Sequence, residues 1–280
     1  MGVARILFLS DTHLGFDSPM RPRVERLRRG PDFFANYERA LEPALRGEVD
    51  AVVHGGDVLY RSRVPATLVD AAFRPLKRVA DTGVPVFVVP GNHERSRIPY
   101  PVLAMHPGVH VFNGPRTFTA ALGGLRVAFA GFPYAPGVRA AFASLVERTG
   151  YREMRADVAL LCVHHCVEDA TVGPNDYTFR DADDVIRGAD LPRDVAAVLS
   201  GHIHRHQVLS HHPTPVLYPG STERTSSAER DETKGYMVVD VDANGLAGWE
   251  FRPLPTRLDK LRRRRKSAGP RQNTGTVTGS

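Results

Sequence analysis

Near the N-terminus, residues Arg5 to His13 read RILFLSDTH. Their apolar run, Ile6 to Leu9, is short and continuous, which is typical of a strand buried on both faces of a sheet. The polar residues Asp11 and His13 follow directly, where the strand ends. An apolar strand closed by polar residues of this kind predicts a site at the edge of a buried sheet.

Similar strand-sized segments recur along most of the chain. The predicted strands are Arg5 to Ser10, Ala51 to His54, Pro85 to Val89, Leu125 to Ala130, Val158 to Val163, Val195 to Ser200, Val216 to Tyr218, Tyr236 to Asp242 and Trp249 to Arg252. Apolar residues at helical spacing predict crossover helices over Asp32 to Leu45 and Ala66 to Ala80. The turn signal Asp242-Ala-Asn-Gly245 predicts a closing hairpin. Strands that alternate with helices indicate a layered α/β fold.

The composition of the 280-residue chain is that of a soluble globular protein, with 42% hydrophobic and 24% charged residues. No apolar run approaches the ~18 residues that would span a bilayer, which excludes a membrane protein. The N-terminus lacks the apolar core of a secretory signal, and two cysteines provide no disulfide framework. We therefore expect a cytoplasmic protein. Its net charge of +6 favours polyanionic partners such as nucleic acid.

A change in composition near Pro255 divides the chain. We predict one folded domain over residues 1–255 and a disordered basic tail over residues 256–280. The tail carries the run KLRRRRK at Lys260 to Lys266 and is otherwise small or polar, so it has little to bury. Such a run is either a solvated end or a contact to the nucleic-acid backbone.

Five polar clusters follow predicted strands, namely Asp11-Thr-His13, Gly55-Gly56-Asp57, Gly91-Asn92-His93-Glu94, His164-His165 and Gly201-His202-Ile-His204. Strand ends are where open α/β sheets build their sites. Carboxylate and imidazole ligands suit Mn²⁺, Fe or Zn²⁺. Two such ions ~3.5–4 Å apart can clamp both the attacking and the leaving oxygen of a displacement at phosphorus. The clusters therefore predict a metal centre suited to phosphoester hydrolysis.

This ordered series resembles the pattern of the calcineurin-like metallophosphoesterases, and the resemblance extends from Ile6 to about Leu254. It implies a four-layer sandwich, in which two mixed β-sheets pack face to face and are flanked by helices. It also implies a dinuclear metal site at the strand ends. The domain over residues 1–255 is then a metallophosphoesterase domain.

The resemblance also assigns roles to individual residues. It implies that Asp11, His13 and His204 hold one ion, that Asn92, His164 and His202 hold the other, and that Asp57 bridges both. His93 becomes the catalytic histidine that protonates the leaving oxygen or stabilises the transition state. His164 is preferred to His165 because the ligand is usually the first polar residue after the strand. No motif position falls on His54, His106, His110, His206, His211 or His212, which we interpret as ordinary surface or turn histidines.

The implied mechanism is hydrolysis of a phosphodiester by a hydroxide that bridges two divalent ions. Mn²⁺ is the expected metal, with Fe or Zn as alternatives. No covalent enzyme intermediate is required.

Three segments of the sequence favour DNA as the expected substrate. GGDVLYRSRVP from Gly55, YPGSTERTSSAE from Tyr218 with the following KGYMVVDV, and FRPLPTR from Phe251 resemble segments of the SbcD-type exonucleases of DNA repair. The resemblance implies a DNA exonuclease. Arg61 also matches a phosphate-binding arginine of protein phosphatases, so a phosphomonoesterase and a small-nucleotide diesterase remain alternatives. We take Arg61, Tyr60 and His206 as candidate substrate contacts.

The expected partners are DNA and a second copy of the chain in a homodimer. The arginines at positions 21, 23, 26, 28 and 29 form a cluster near the predicted centre, which is either a solvated face or a phosphate contact. SbcD-type proteins usually continue into a segment that docks an SMC-like ATPase. Only the basic tail follows residue 255, so we do not expect that ATPase partner.

Overall fold

The computed structural model describes residues 2–18, 27–99 and 106–256. Numbered in chain order, its strands are β1 Ala4–Leu9, β2 Ala51–His54, β3 Val86–Val88, β4 Val109–Val111, β5 Arg116–Leu122, β6 Leu125–Gly131, β7 Val158–Val163, β8 Cys166–Val167, β9 Thr171–Val172, β10 Tyr177–Thr178, β11 Val185–Ile186, β12 Ala197–Ser200, β13 Gln207–Leu209, β14 Val216–Tyr218, β15 Gly235–Asp242 and β16 Gly245–Pro253. The α-helices of the described residues are α1 Gly30–Leu45, α2 Ala66–Asp81 and α3 Val138–Glu147.

Two six-stranded sheets form the centre of the molecule, with the strand orders β16-β15-β1-β2-β3-β4 and β13-β14-β12-β7-β6-β5. In the first sheet, β1 to β4 run parallel, and β15 and β16 form the antiparallel hairpin that the turn at Asp242 to Gly245 predicts. In the second sheet, β6, β7, β12 and β14 run parallel, with antiparallel edge strands β5 and β13. Both sheets are therefore mixed.

Strand β1 shows why its apolar run is continuous. Ile6 and Phe8 pack into the core between the two sheets, whereas Leu7 and Leu9 pack against helices α1 and α2 on the outer face. Because successive side chains of a strand point to opposite faces, a strand covered on both sides must be apolar throughout.

Helices cover the outer faces of both sheets. On α2, Val69, Phe73 and Leu76 recur at helical spacing and are fully buried against the first sheet. Phe142 of α3 is buried against the second sheet. The layers are thus helices, sheet, sheet and helix, which confirms the predicted four-layer α/β sandwich.

Several elements were missed from the sequence. Strand β5 is half exposed and reads RTFTAAL, which lacks the apolar continuity of the buried strands. Helix α3 was also missed, although Val138, Phe142 and Val146 are buried at four-residue intervals along it. Strand β16 begins at Gly245, four residues before the predicted Trp249, because the hairpin pairs directly from its turn.

Most of the predicted tail lies outside the described residues, as do arginines 21, 23 and 26. Thr256, the first residue of that tail, is buried and accepts a hydrogen bond from the Arg224 guanidinium. Thr256 is thus packed against the rest of the described chain. Among the helices of the described segments, none has the length and apolarity needed to cross a bilayer.

Candidate metal centre

The site lies where loops from the two sheets meet. Strands β1, β2 and β3 are parallel neighbours, so the residues after them share one edge of the first sheet. Loops of the second sheet reach the same place. His164, after β7, bonds through Nδ1 to the Gly55 carbonyl at 2.7 Å, and the His202 amide donates to Asp11 Oδ2 at 3.1 Å.

Three predicted ligands form a first group. His13 Nε2 lies 2.9 Å from His204 Nε2, so the two imidazole nitrogens point towards the same position. Asp11 Oδ1 lies 3.9 Å from His13 Nε2 and 3.7 Å from His204 Nε2. All three donor atoms are therefore close enough to bind one ion.

A second group forms around Asn92. Its Oδ1 lies 3.0 Å from His164 Nε2 and 3.1 Å from His202 Nδ1. Asp57 Oδ2 lies 3.4 Å from His164 Nε2 and 3.9 Å from His13 Nε2, so this one oxygen faces both groups. The structure thus brings all seven predicted ligands together in the predicted division, with Asp57 between the two groups.

The donor set fits divalent metal ions. Four imidazoles, two carboxylates and one amide oxygen are the ligand types that Mn²⁺, Fe and Zn²⁺ accept. Asp11 Oδ1 is fully buried and accepts no hydrogen bond from the described residues. A buried carboxylate oxygen without a partner is costly unless a cation satisfies it.

The electrostatics of the site follow from burial and from the two carboxylates. Burial lowers the pKa of His202 to about 3, which leaves this imidazole neutral and able to bind a metal. Burial also opposes protonation of His164, but the charge and hydrogen bond of Asp57 raise its pKa to about 9. Although burial disfavours the Asp57 anion, the neighbouring His164 and His13 hold its pKa well below the usual range. Metal binding at His164 must therefore release a proton.

Four of the predicted ligands have strained backbone conformations. Asp11, His13, Asp57 and His202 have φ values of 52°, 43°, 51° and 80°. Such left-handed conformations cost ~1–3 kcal/mol each in a residue that is not glycine, and they concentrate at functional sites. These conformations therefore lower the stability of the fold, and they fix the directions of the four side chains.

His93 has a defined orientation beside the ligands. Its Nδ1 donates to the carbonyl oxygen of Tyr60 at 2.6 Å, which turns Nε2 towards Asp57 Oδ2 at 3.8 Å. The side chain is 35% exposed, whereas Asp57 and His164 are buried. The free nitrogen thus faces an accessible space next to the ligand set.

The other histidines of the neighbourhood have supporting positions. His165 accepts a hydrogen bond from the Ala135 amide and stacks on Tyr134, so it points away from the ligands, as predicted. His54, which we interpreted as a surface or turn residue, is fully buried. It contacts Thr12 Oγ1 and the Gly56 amide, and so joins the first two ligand loops.

The three candidate substrate contacts do not all lie beside His93. The Tyr60 ring packs against Phe16 and lies 5.7 Å from the His93 ring. Arg61 is exposed and lies over the Tyr60 ring, at the rim of the site. His206 instead stacks on Phe251, with ring centroids 4.0 Å apart, and bonds to the Tyr218 carbonyl. The structure therefore groups Tyr60, but not His206, with His93.

Two described arginines of the predicted cluster are held in ion pairs. Arg28 pairs with Asp17 at 3.2 Å, and Arg29 pairs with the buried Glu223 at 2.9 Å. These pairs fix the start of α1, so at these two positions the cluster has a structural role.

Sequence reasoning assigned no role to Glu229, which contacts a predicted ligand. Its Oε1 lies 3.2 Å from His204 Nδ1, and its Oε2 lies 2.7 Å from the ammonium of the fully buried Lys234. Burial raises the pKa of Glu229, but His204 and Lys234 together hold it well below its usual value. A carboxylate that binds the second nitrogen of a ligating histidine fixes the tautomer and the direction of the ring. Glu229 closes the quoted segment YPGSTERTSSAE, which was the available signal.

We expect Glu229→Gln to weaken metal binding at the Asp11, His13 and His204 group by about 10–100-fold. The amide is neutral and cannot provide the same acceptor to His204. Equilibrium Mn²⁺ binding measures the effect. Glu232→Gln is the matched control, because Glu232 also contacts Lys234, at 2.8 Å, but does not contact His204. Equal Mn²⁺ affinity in both variants would contradict the assigned role.

The fold and the donor set together define a metal-dependent hydrolase. The sequence matches the family model of the calcineurin-like phosphoesterases over residues 4–206. The chain belongs to this family, whose members are metallophosphoesterases that hydrolyse phosphoester bonds.

Individual proteins are similar to this chain in sequence or in fold. The chain is 30% identical over 249 residues to the DNA double-strand break repair protein Mre11 of Haloferax volcanii, covering 85% of this chain and 49% of that protein. It is 31% identical over 255 residues to Mre11 of Methanosarcina mazei, covering 90% and 38%. The chain thus spans about half or less of the length of these relatives. The TT1561 structure from Thermus thermophilus shares the fold, with a TM-score of 0.53, 14% identity and coverage of 86% and 95%.

Proposed function

We propose that this protein is a manganese-dependent phosphodiesterase that hydrolyses DNA. The observation that carries the proposal is the position of Asp57 Oδ2 between two groups of metal ligands. Two divalent ions held in these groups would supply Lewis acidity at phosphorus and lower the pKa of a water so that it can attack. The other side chains orient the substrate and move protons.

His93 is the proton donor in this proposal. Its Nδ1 is held by the Tyr60 carbonyl, so Nε2 remains available to present a proton to a leaving oxygen. Because His93 is 35% exposed while Asp57 beside it is buried, a phosphodiester entering from solvent would meet His93 beside the metal groups. Asp57 also accepts a hydrogen bond from the His93 amide at 2.9 Å, which fixes the catalytic loop relative to the bridge.

DNA is the proposed substrate for three reasons. The curated relatives at 30% and 31% identity are both DNA double-strand break repair proteins. The net charge of +6 favours a polyanion. At the rim of the site, the guanidinium of Arg61 is exposed and pairs with no carboxylate among the described residues, which leaves it suited to a phosphate of the DNA backbone.

Purified protein with Mn²⁺ and DNA duplexes labelled at the 3′ or the 5′ end tests this proposal. We expect stepwise shortening of the DNA at low salt, with the labels reporting the direction. Single strands, bis(p-nitrophenyl) phosphate and p-nitrophenyl phosphate are assayed in parallel. Hydrolysis of the small diester with intact DNA would move the substrate to a small nucleotide. Preference for the monoester would instead support a phosphatase in which Arg61 holds the additional charge.

A further inference from the structure

A second cluster of metal-binding side chains lies outside the candidate centre. Asp169 follows strand β8, and His211 and His212 lie between β13 and β14. Asp169 Oδ2 is 3.0 Å from His211 Nε2 and 3.9 Å from His212 Nε2. One donor atom from each residue lies within 4.8 Å of the other two, which is close enough for a single ion.

A backbone carbonyl lies beside this group, since the oxygen of Glu168 is 3.0 Å from His212 Nε2. Two imidazole nitrogens and one carboxylate oxygen are ligand types that Zn²⁺ accepts, with a further position open to water. We propose that Asp169, His211 and His212 form a zinc site.

The surroundings hold these donors in place. Asp169 has a left-handed backbone, with φ of 70°, and its amide donates to the Phe179 carbonyl at 2.9 Å. The His212 side chain is only 8% exposed. It occupies a slot that exists because residue 188 is glycine, where any Cβ would overlap the imidazole. The ion must also order the side chains of His211 and Asp169, which are 56% and 46% exposed.

A bound zinc ion would join two distant segments of the chain. Asp169 and His211 are separated by 42 positions, so the ion would close a long loop and stabilise the folded state. The same segment continues to Thr171 and Gly173, which contact Arg205, the residue after the predicted ligand His204. A bound zinc ion would therefore restrain a segment that lies next to the candidate metal centre. Its existence does not depend on which phosphoester is the substrate.

Zinc titration of the manganese-loaded protein tests the site. We compare the wild type with the double variant His211→Asn/His212→Asn and with His106→Asn. His106 is the matched control because it forms a single His–Asp pair, with Asp81 at 3.1 Å. The wild type and His106→Asn should each bind one more zinc equivalent than the double variant. Zinc should also raise their unfolding midpoints by about 5 °C relative to the double variant, if it is present at roughly 100 times its dissociation constant.

The proposal has separate controls for folding and for the candidate metal centre. Without zinc, the double variant should retain wild-type manganese-dependent hydrolysis, because the changed side chains lie outside the candidate metal centre. The single variant His211→Asn changes only an exposed side chain, so it should melt at the wild-type temperature without zinc and still bind zinc more weakly than the wild type. Asp169→Asn should bind zinc more weakly through loss of the carboxylate charge. Equal zinc uptake by the wild type and the double variant would overturn the proposal, as would an equal loss of zinc in His106→Asn.

Discussion

Replacing Asp57 with asparagine should abolish phosphodiester hydrolysis while leaving the fold intact. Asp57 Oδ2 faces both ligand groups, and asparagine keeps the size of the side chain but removes the negative charge that two cations would share. The contribution of metal ions to a transition state amounts to several kcal/mol, so we expect a loss of at least about 10³-fold in kcat. Hydrolysis of bis(p-nitrophenyl) phosphate in the presence of Mn²⁺ measures this loss.

Metal content and thermal unfolding distinguish a damaged centre from a damaged fold. Asp57→Asn should bind less than the wild-type amount of manganese and should still unfold cooperatively. Asp70→Asn is the matched control, because it makes the same chemical change at a half-exposed position of helix α2, away from the candidate metal centre. Full turnover by Asp57→Asn would contradict the bridging role.

Replacing His93 with alanine should slow turnover by about 10²–10⁴-fold while leaving the bound metals in place. The loss should depend on the leaving group. A nitrophenolate leaves without being protonated, whereas the alkoxide of a DNA strand needs a proton. We therefore expect a smaller loss on bis(p-nitrophenyl) phosphate than on DNA, measured as the ratio of kcat between variant and wild type.

The competing role for His93 is specific and measurable. His93 Nε2 lies near Asp57 and His13, in a grouping that could itself hold an ion. Loss of one metal equivalent in His93→Ala would therefore make His93 a ligand rather than a proton donor. His106→Ala serves as the control for removal of a histidine elsewhere on the molecule.

The positions of the polar clusters at strand ends were enough to predict that they meet, and the resemblance to the calcineurin-like metallophosphoesterases supplied the individual ligands. Asp11, Asp57 and Asn92 follow parallel strands, and parallel strands place their ends at one edge. Continuous apolar runs such as Ile6 to Leu9 were also sufficient to predict the buried strands. A strand covered on both faces is apolar at every position, so its pattern is uninterrupted.

Support for the ligands could not be predicted in the same way. Glu229 and His54 act through contacts with His204 and with Thr12, which are distant in sequence and exist only once the sheets are packed. The left-handed backbone at Asp57 is equally invisible, because no local signal marks a strained residue that is not glycine. Edge strand β5 was missed since its exposed positions interrupt the apolar pattern.

Anomalous scattering from a manganese-soaked crystal would locate the ions on either side of Asp57. We predict two manganese peaks. One should lie among Asp11, His13 and His204, the other among Asn92, His164 and His202, and the Asp57 carboxylate should contact both. A single peak, or a peak coordinated by His93 in place of His164, would rule out a bridging Asp57.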